Sequence, residues 1–148
     1  MGMTEQATLA ENKQVVEGFI QAINKRDLDK LSDYVALDVI DHNKIIYGEA
    51  DEPGAAFEGF RQQLAAFDPF SMHIEELIAE NDRVVARIRQ RAVHSGYHPR
   101  MPQPTGKSSE IEAIFIFTVK NKKISEIRAV SDRLGFFLQL GWDWPEND

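Results

Sequence analysis

Asp132 stands where a strand pattern turns into a helix pattern, in the stretch SEIRAVSDRLGFFLQLG at residues 125–141. A carboxylate at such a junction can do one of two things. It can cap the helix that begins at Arg133, since Asp is among the favoured N-cap residues. Or it can project from the strand end into an apolar space and move protons. Capping hydrogen bonds and the helix dipole favour an ionised carboxylate, whereas burial in hydrocarbon favours the neutral acid. Only the second environment tunes a carboxyl group toward acid–base work near neutral pH. Strand alternation sets Arg128 on the same face as Asp132, together with Ile124, Glu126 and Val130. Spacing alone favours the cap, with Arg128 on the outside.

His42 follows Asp41 at a second strand end. Imidazole titrates nearest neutrality, but a lone His at a strand end is more often structural. His94 and His98 are four apart, a metal-chelating spacing on a helix. HSGYHPR contains Gly96 and Pro99 and is no helix, so no metal site is expected there. His73 sits inside a strand and carries no signal. Arg87, Arg89 and Arg91 form a basic row. The plain reading is an exposed face paired to Glu75, Glu110 or Glu112 on neighbouring strands; phosphate binding is the alternative. Phe115 and Phe117 fit a core better than a cofactor stack, and a cavity wall looks the same in sequence. Trp142 and Trp144 fit a pocket mouth or an interface. No Gly-rich phosphate loop, GxSxG elbow or HExxH is present, so nucleotide cofactors and serine hydrolysis have no support.

The chain that positions these residues has 148 residues and reads as one domain over 1–148, with a loose start at 1–10 and a tail at 142–148. Hydrophobic residues make up 43% and charged residues 28%, enough apolar material for a core and an internal pocket. The net charge of −7 disfavours nucleic acid and anionic membrane surfaces, which both draw on clustered Lys and Arg. There is no cysteine, which removes disulfides and thiolate chemistry and fits a reducing cytoplasm. The longest purely apolar run, Ala113 to Phe117, is far short of the ~20 residues of a spanning helix.

Val15, Val16, Phe19, Ile20 and Ile23 recur at helical spacing and predict an amphipathic helix over Glu11 to Asn24. Asp27 caps a short second helix. YVALDVIDH reads as a strand ending near His42. Pro53 opens a third helix with Phe57, Phe60, Leu64 and Phe67 on one face, stopped at Asp68-Pro69. The period then changes to two. MHIEELIAE, VVARIRQRAVHSG, EIEAIFIFTV and ISEIRAVS are strands, and Leu134 to Leu140 is a terminal helix. In the second of these strands Val84, Ala86, Ile88, Gln90, Ala92 and His94 share a face. Helices followed by an antiparallel meander mean α+β: a curved sheet packed on N-terminal helices, making a cone that encloses a pocket.

Several segments together resemble the SnoaL-like polyketide cyclase family, within the nuclear transport factor 2-like fold superfamily. They are ENKQVVEGFIQAINKRDLDKL, DVIDHN around His42, FEGFRQQLAAF, AVHSGYHPRMPQPTGK with His94, and KISEIRAVSDRLGFFLQLG. The likeness runs from about Glu11 to Gly141. It implies a homodimeric α+β barrel that binds an apolar small molecule and closes a ring by aldol-type chemistry, without metal or cofactor. The family's acid–base aspartate matches Asp132, and its motif histidines match His42 and His94. Under this resemblance Asp132 becomes a pocket residue. Arg128 departs from the aromatic residue common at its position, and could pair with Asp132 or hold a carboxylate substrate.

The expectation is a cofactor-independent cyclase-like enzyme, with Asp132 and His42 catalytic and His94, Arg128, Tyr47 and Phe117 binding substrate. A non-catalytic binding protein of the same fold is the alternative, and isomerase or hydrolase chemistry in the same cone is a third. For the latter only Asp41 and Asp132 offer carboxylates that could face one another.

Overall fold

The computed structural model describes residues 2–43, 52 and 54–143. Helix α1 (Gly2–Asn24) is followed by a 3-10 turn at Leu28–Lys30, a one-turn helix α2 (Leu31–Tyr34) and strand β1 (Val35–Asp41). Helix α3 (Ala55–Ala66) leads into β2 (Phe67–Glu80), β3 (Arg83–His94), β4 (Ser108–Lys120) and β5 (Lys123–Ser131), and α4 (Arg133–Gln139) ends the order. The five strands form one curved, unclosed sheet in the order β1-β5-β4-β3-β2. Neighbours pair antiparallel, except β1, which runs parallel to β5.

Helix α1 lies across one face of the sheet and buries Val16, Phe19, Ile20 and Ile23 against it, the expected apolar stripe. From the sheet side Val84, Ala86, Ile88, Phe117, Val119, Ile124 and Ile127 meet them. Burial on this scale stabilises by about 1.5–3 kcal/mol per large apolar side chain. The other face of the same strands carries no helix of the described chain. The sheet thus has a helix-covered face and an open face.

Asp27 stands at the N-cap of the 3-10 turn but makes no side-chain capping hydrogen bond, contrary to the sequence expectation. Three further details differ. Helix α1 begins at Gly2 rather than Glu11, because Ala7, Leu9 and Ala10 are strong helix formers that extend it. Strand β2 begins at Phe67, through Asp68-Pro69, instead of at Met72. It is an edge strand, where a proline costs no ladder hydrogen bond. The third difference is a register shift between β4 and β5 at Thr118/Val119. Val119 pairs with Ile124 but Thr118 pairs with Glu126, so β5 carries one extra residue. Such a bulge breaks the alternation. Ile124 keeps to the helix-covered face, and beyond the bulge that face belongs to Ile127, Ala129 and Ser131. Glu126, Arg128 and Val130 fall on the open face instead of sharing one with Ile124.

Candidate functional site

Asp132 is the N-cap of α4. Its Oδ1 accepts the Gly135 backbone N–H at 2.8 Å, and the residue is exposed. Gly135 is needed for this arrangement, since a Cβ there would sit 2.1 Å from the Asp132 Oδ2. The cap anticipated from spacing is therefore present. The side chain turns along the start of its own helix, where the unpaired N–H groups are, and not into an apolar interior. Arg128 is likewise outside. It reaches Glu126 at 3.4 Å on the open face and does not accompany Asp132 toward the helices. The physical reason is the bulge, which reversed the outward parity of the strand.

The Asp41-His42-Asn43 sequence is divided between the two faces. Asp41 pairs with Ile127, and Ile127 with Phe117, so Asp41 lies in a row with two buried residues of the helix-covered face. Ile40 pairs with Glu126 on the open side. His42 leans the same way, with Nε2 3.8 Å from the Glu126 carboxylate and no hydrogen bond to it. Asn43 locks the division. Its side-chain amide donates to the Ala129 carbonyl at 2.8 Å and accepts the Ala129 N–H at 2.9 Å, imitating one more residue of strand pairing after β1 has ended. The Asn43 N–H in turn donates to Asp41 Oδ1 at 3.0 Å.

Glu126 is the most elaborated carboxylate among the described residues. The Thr118 hydroxyl, donating at 3.1 Å, holds its carboxyl below the usual range. Partial burial opposes this, and Arg128 and His42 reinforce it. Sequence reasoning passed over this group, because only the bulge brings Thr118 and Glu126 opposite one another.

His94 is fully buried. Its Nδ1 accepts the Thr105 backbone N–H at 3.2 Å, which leaves the proton on Nε2, an atom without a hydrogen-bond partner among the described residues. The His94 N–H donates to the Lys107 carbonyl and its carbonyl accepts the Gly106 N–H. Ser95 and Gly96 donate to the Ala66 carbonyl at the end of α3, and a Cβ at Gly96 would strike the Ala65 carbonyl oxygen. The HSG and PTGK motifs thus tie β3, the loop before β4 and the end of α3 together.

Phe117 is buried, with its ring centroid 5.8 Å from Phe19 and 5.4 Å from a parallel Phe115. Phe60 sits 5.4 Å from Phe19 and 6.0 Å from Phe57. Phe57, Phe60, Phe115, Tyr34 and Val39 are only partly buried against the core. They form an apolar wall on the side of the sheet that Asp41 shares. Tyr47 and Trp144 lie outside the described residues; Trp142 packs against the core.

Two open grooves are formed by described residues. One, of about 340 Å³, runs between α1 and β2 over Ile20, Met72, Ile74 and Leu77. The other, of about 330 Å³, includes Pro69, Ser71, Arg91 and Ser108. Neither is lined by Asp41, His42, His94 or Asp132. Among the described residues no group of His and carboxylates is arranged to hold a metal ion. The arginine row is paired, as the plain reading expected: Arg87 to Glu112 and Glu76 at 2.9 and 3.0 Å, Arg89 to Glu75 at 3.0 Å, Arg91 to Glu110 at 3.1 Å. The hydrogen bond from Arg89 holds the Glu75 carboxyl below its usual range. No helix of the described residues is long and apolar enough to cross a membrane.

Comparison with known proteins places this geometry. The family model for SnoaL-like polyketide cyclases matches residues 13–140. TsrD from Streptomyces laurentii superposes with a TM-score of 0.78 at 24% identity, over 89% of this chain and 96% of TsrD. IdmH from Streptomyces antibioticus gives 0.72 at 24%, over 88% and 99%. A SnoaL-like polyketide cyclase from Agrobacterium tumefaciens gives 0.70 at 16%, over 88% and 98%. At these identities the likeness speaks to the fold. No curated relative matches the chain by sequence.

Proposed function

The chain belongs to the SnoaL-like polyketide cyclase family, and from that premise we propose that it carries out acid–base chemistry on an apolar small molecule, an aldol-type ring closure that needs no cofactor. The substrate packs against the wall of Phe57, Phe60, Phe115 and Phe117, and Asp41 is the proton-transfer group. Its carboxylate removes a proton from a carbon activated by a neighbouring carbonyl. The carbanion attacks a second carbonyl carbon of the same molecule, a C–C bond forms, and the proton returns from Asp41 to the new alkoxide. Holding the chain of the substrate folded makes the attack unimolecular, and positioned acid–base transfer adds about 10²–10⁴-fold. The acting unit in this reading is a cytoplasmic homodimer, as the family resemblance implies.

What supports the choice of Asp41 is its register with Ile127 and Phe117 on the apolar face, held there by Asn43. His42 and Arg128 serve from behind through Glu126, and His94 braces the loop before β4. A second reading keeps Asp132 as the acid–base group. It is favoured by the bare Gly135 backbone, which leaves the Asp132 carboxylate a tailored slot at the end of β5. One experiment separates the two. The purified chain is given ethyl benzoylacetate in deuterated buffer, and deuterium entry at the acidic carbon is followed by NMR. Asp41→Asn should lower the catalysed rate by about 10²–10⁴-fold, with Asp132→Asn close to wild type. The opposite ranking would transfer the role to Asp132. Binding of the ester with no exchange above buffer would end the catalytic reading in favour of a binding protein.

A further inference from the structure

One carboxamide interrupts the apolar face that the helices cover. Gln90 on β3 lies opposite Met72 on β2 and Ile111 on β4, and Ile88 and Ala92 flank it along its own strand. Those four residues are buried, as are Phe70 and Ala113 on the diagonals. Gln90 itself is only half-buried. Its neighbours on the face are sealed, so the opening that reaches its side chain comes in from the helix side. The carboxamide makes no hydrogen bond with a described residue. We propose that Gln90 is a ligand-binding residue, whose side-chain N–H holds an uncharged oxygen of the small molecule that the cone takes.

The residues beside it point the same way. Ser109 pairs with Ala92, which sets it diagonal to both Gln90 and His94. Diagonal neighbours lie roughly 7–8 Å apart, so three polar side chains meet around one alanine. Ser109 Oγ and His94 Nε2 are both buried and both without a hydrogen-bond partner among the described residues. Native structures leave few such groups, and each costs free energy unless a partner is supplied from outside the chain. Gln90 is the one of the three that solvent reaches, and so the one a ligand meets first.

The chemistry of the ligand follows from the composition of the face. The even-numbered positions of β3 from 84 to 94 and the odd-numbered positions of β4 from 109 to 119 lie on it, and none is Asp, Glu, Lys or Arg. A carboxylate set against Gln90 would lose its water with no cation to pair it, at a large cost. A ketone, ester or enol oxygen gives up less and gains the amide N–H. Arg128, which the sequence offered as a partner for a carboxylate substrate, is on the open face. The proposal rests on the reading that the cone binds an apolar small molecule, and not on which carboxylate moves protons.

The test is equilibrium dialysis of the full chain against 2-acetylnaphthalene and 2-isopropenylnaphthalene, a ketone and a hydrocarbon of nearly the same shape. Gln90→Leu should weaken binding of the ketone about tenfold and leave the hydrocarbon bound as tightly as before. Its thermal unfolding midpoint should equal or exceed that of the wild type, because hydrocarbon replaces an unpartnered amide. Gln90→Met, closer in length, repeats both measurements. The wild type should bind 2-naphthoate at least about tenfold more weakly than the ketone. Ketone binding unchanged by the substitutions, or weakened equally with that of the hydrocarbon, would overturn the proposal. So would a wild type that binds no ketone or takes naphthoate as readily, or substituted chains whose midpoint falls. The readout is binding alone. A chain that exchanges no deuterium can therefore still pass, and a failure of proton transfer is told apart from a failure at Gln90.

Discussion

On the helix-covered face of the sheet, Val84, Ala86, Ile88 and Phe117 are sealed from water; one residue along the same strands, Arg87, Arg89 and Arg91 are bridged by glutamates in the open. The two faces are held by different physics. The covered face gains from removing hydrocarbon from water, a large term that depends on close packing. The open face gains little from its ion pairs, which water and salt screen. What it carries is a mixture of both charges in an acidic chain. The end of β1 joins the two, because Asp41 belongs to one face and Ile40 and His42 to the other.

Substitutions should reproduce this gradient. Phe117→Ala removes a ring packed on Phe19 and Phe115 and should cost about 3–5 kcal/mol of stability by urea titration. A loss below about 1 kcal/mol would mean that the ring lines empty space rather than filled core. Asn43→Ala breaks both bonds to Ala129 at the boundary of the faces. It should cost about 1–2 kcal/mol, and amide exchange should quicken at Ala129 before it does in the middle of β5. Asp132→Ala removes only the α4 cap and should cost about 1 kcal/mol. Arg89→Ala on the open face should change stability by less than about 0.5 kcal/mol in high salt.

A pH titration sharpens the same contrast. The Glu126 carboxyl is depressed in the folded state, chiefly by the Thr118 hydroxyl. Its stabilisation is therefore fully present above the unfolded carboxylate pKa of about 4.3 and is lost as pH falls through the lower folded value. Thr118→Val should flatten that acid-side slope in urea titrations repeated across the range. An unchanged slope would assign the acid sensitivity to other carboxylates.

Much of this fold was legible in the sequence. The Val16-Phe19-Ile20-Ile23 stripe, the alternation of β3 and the pairing of the arginine row each follow from one periodicity. The site was less legible, for a specific reason. Alternation read straight through β5 puts Ile124, Glu126, Arg128 and Val130 on one face, and the bulge at Thr118/Val119 divides them. A bulge is a property of two strands in register, and neither strand announces it alone. Asp41 was legible as a candidate carboxylate, but its face was not, for a similar reason. Its face is set by parallel pairing with Ile127, a contact 86 positions away in the chain. Asp132 illustrates the opposite case, where local capping chemistry alone gives the observed cap and the pocket role came only from the family resemblance.

The division of the two carboxylates can be measured directly, because the chain contains no cysteine to obscure a thiol probe. Asp41→Cys and Asp132→Cys chains would be labelled with a maleimide, with and without an anilinonaphthalene sulfonate as apolar ligand. The account predicts slow labelling at position 41, slowed further by the ligand, and fast labelling at position 132 that the ligand leaves alone. Equal rates at both positions, or ligand protection at 132 only, would contradict it.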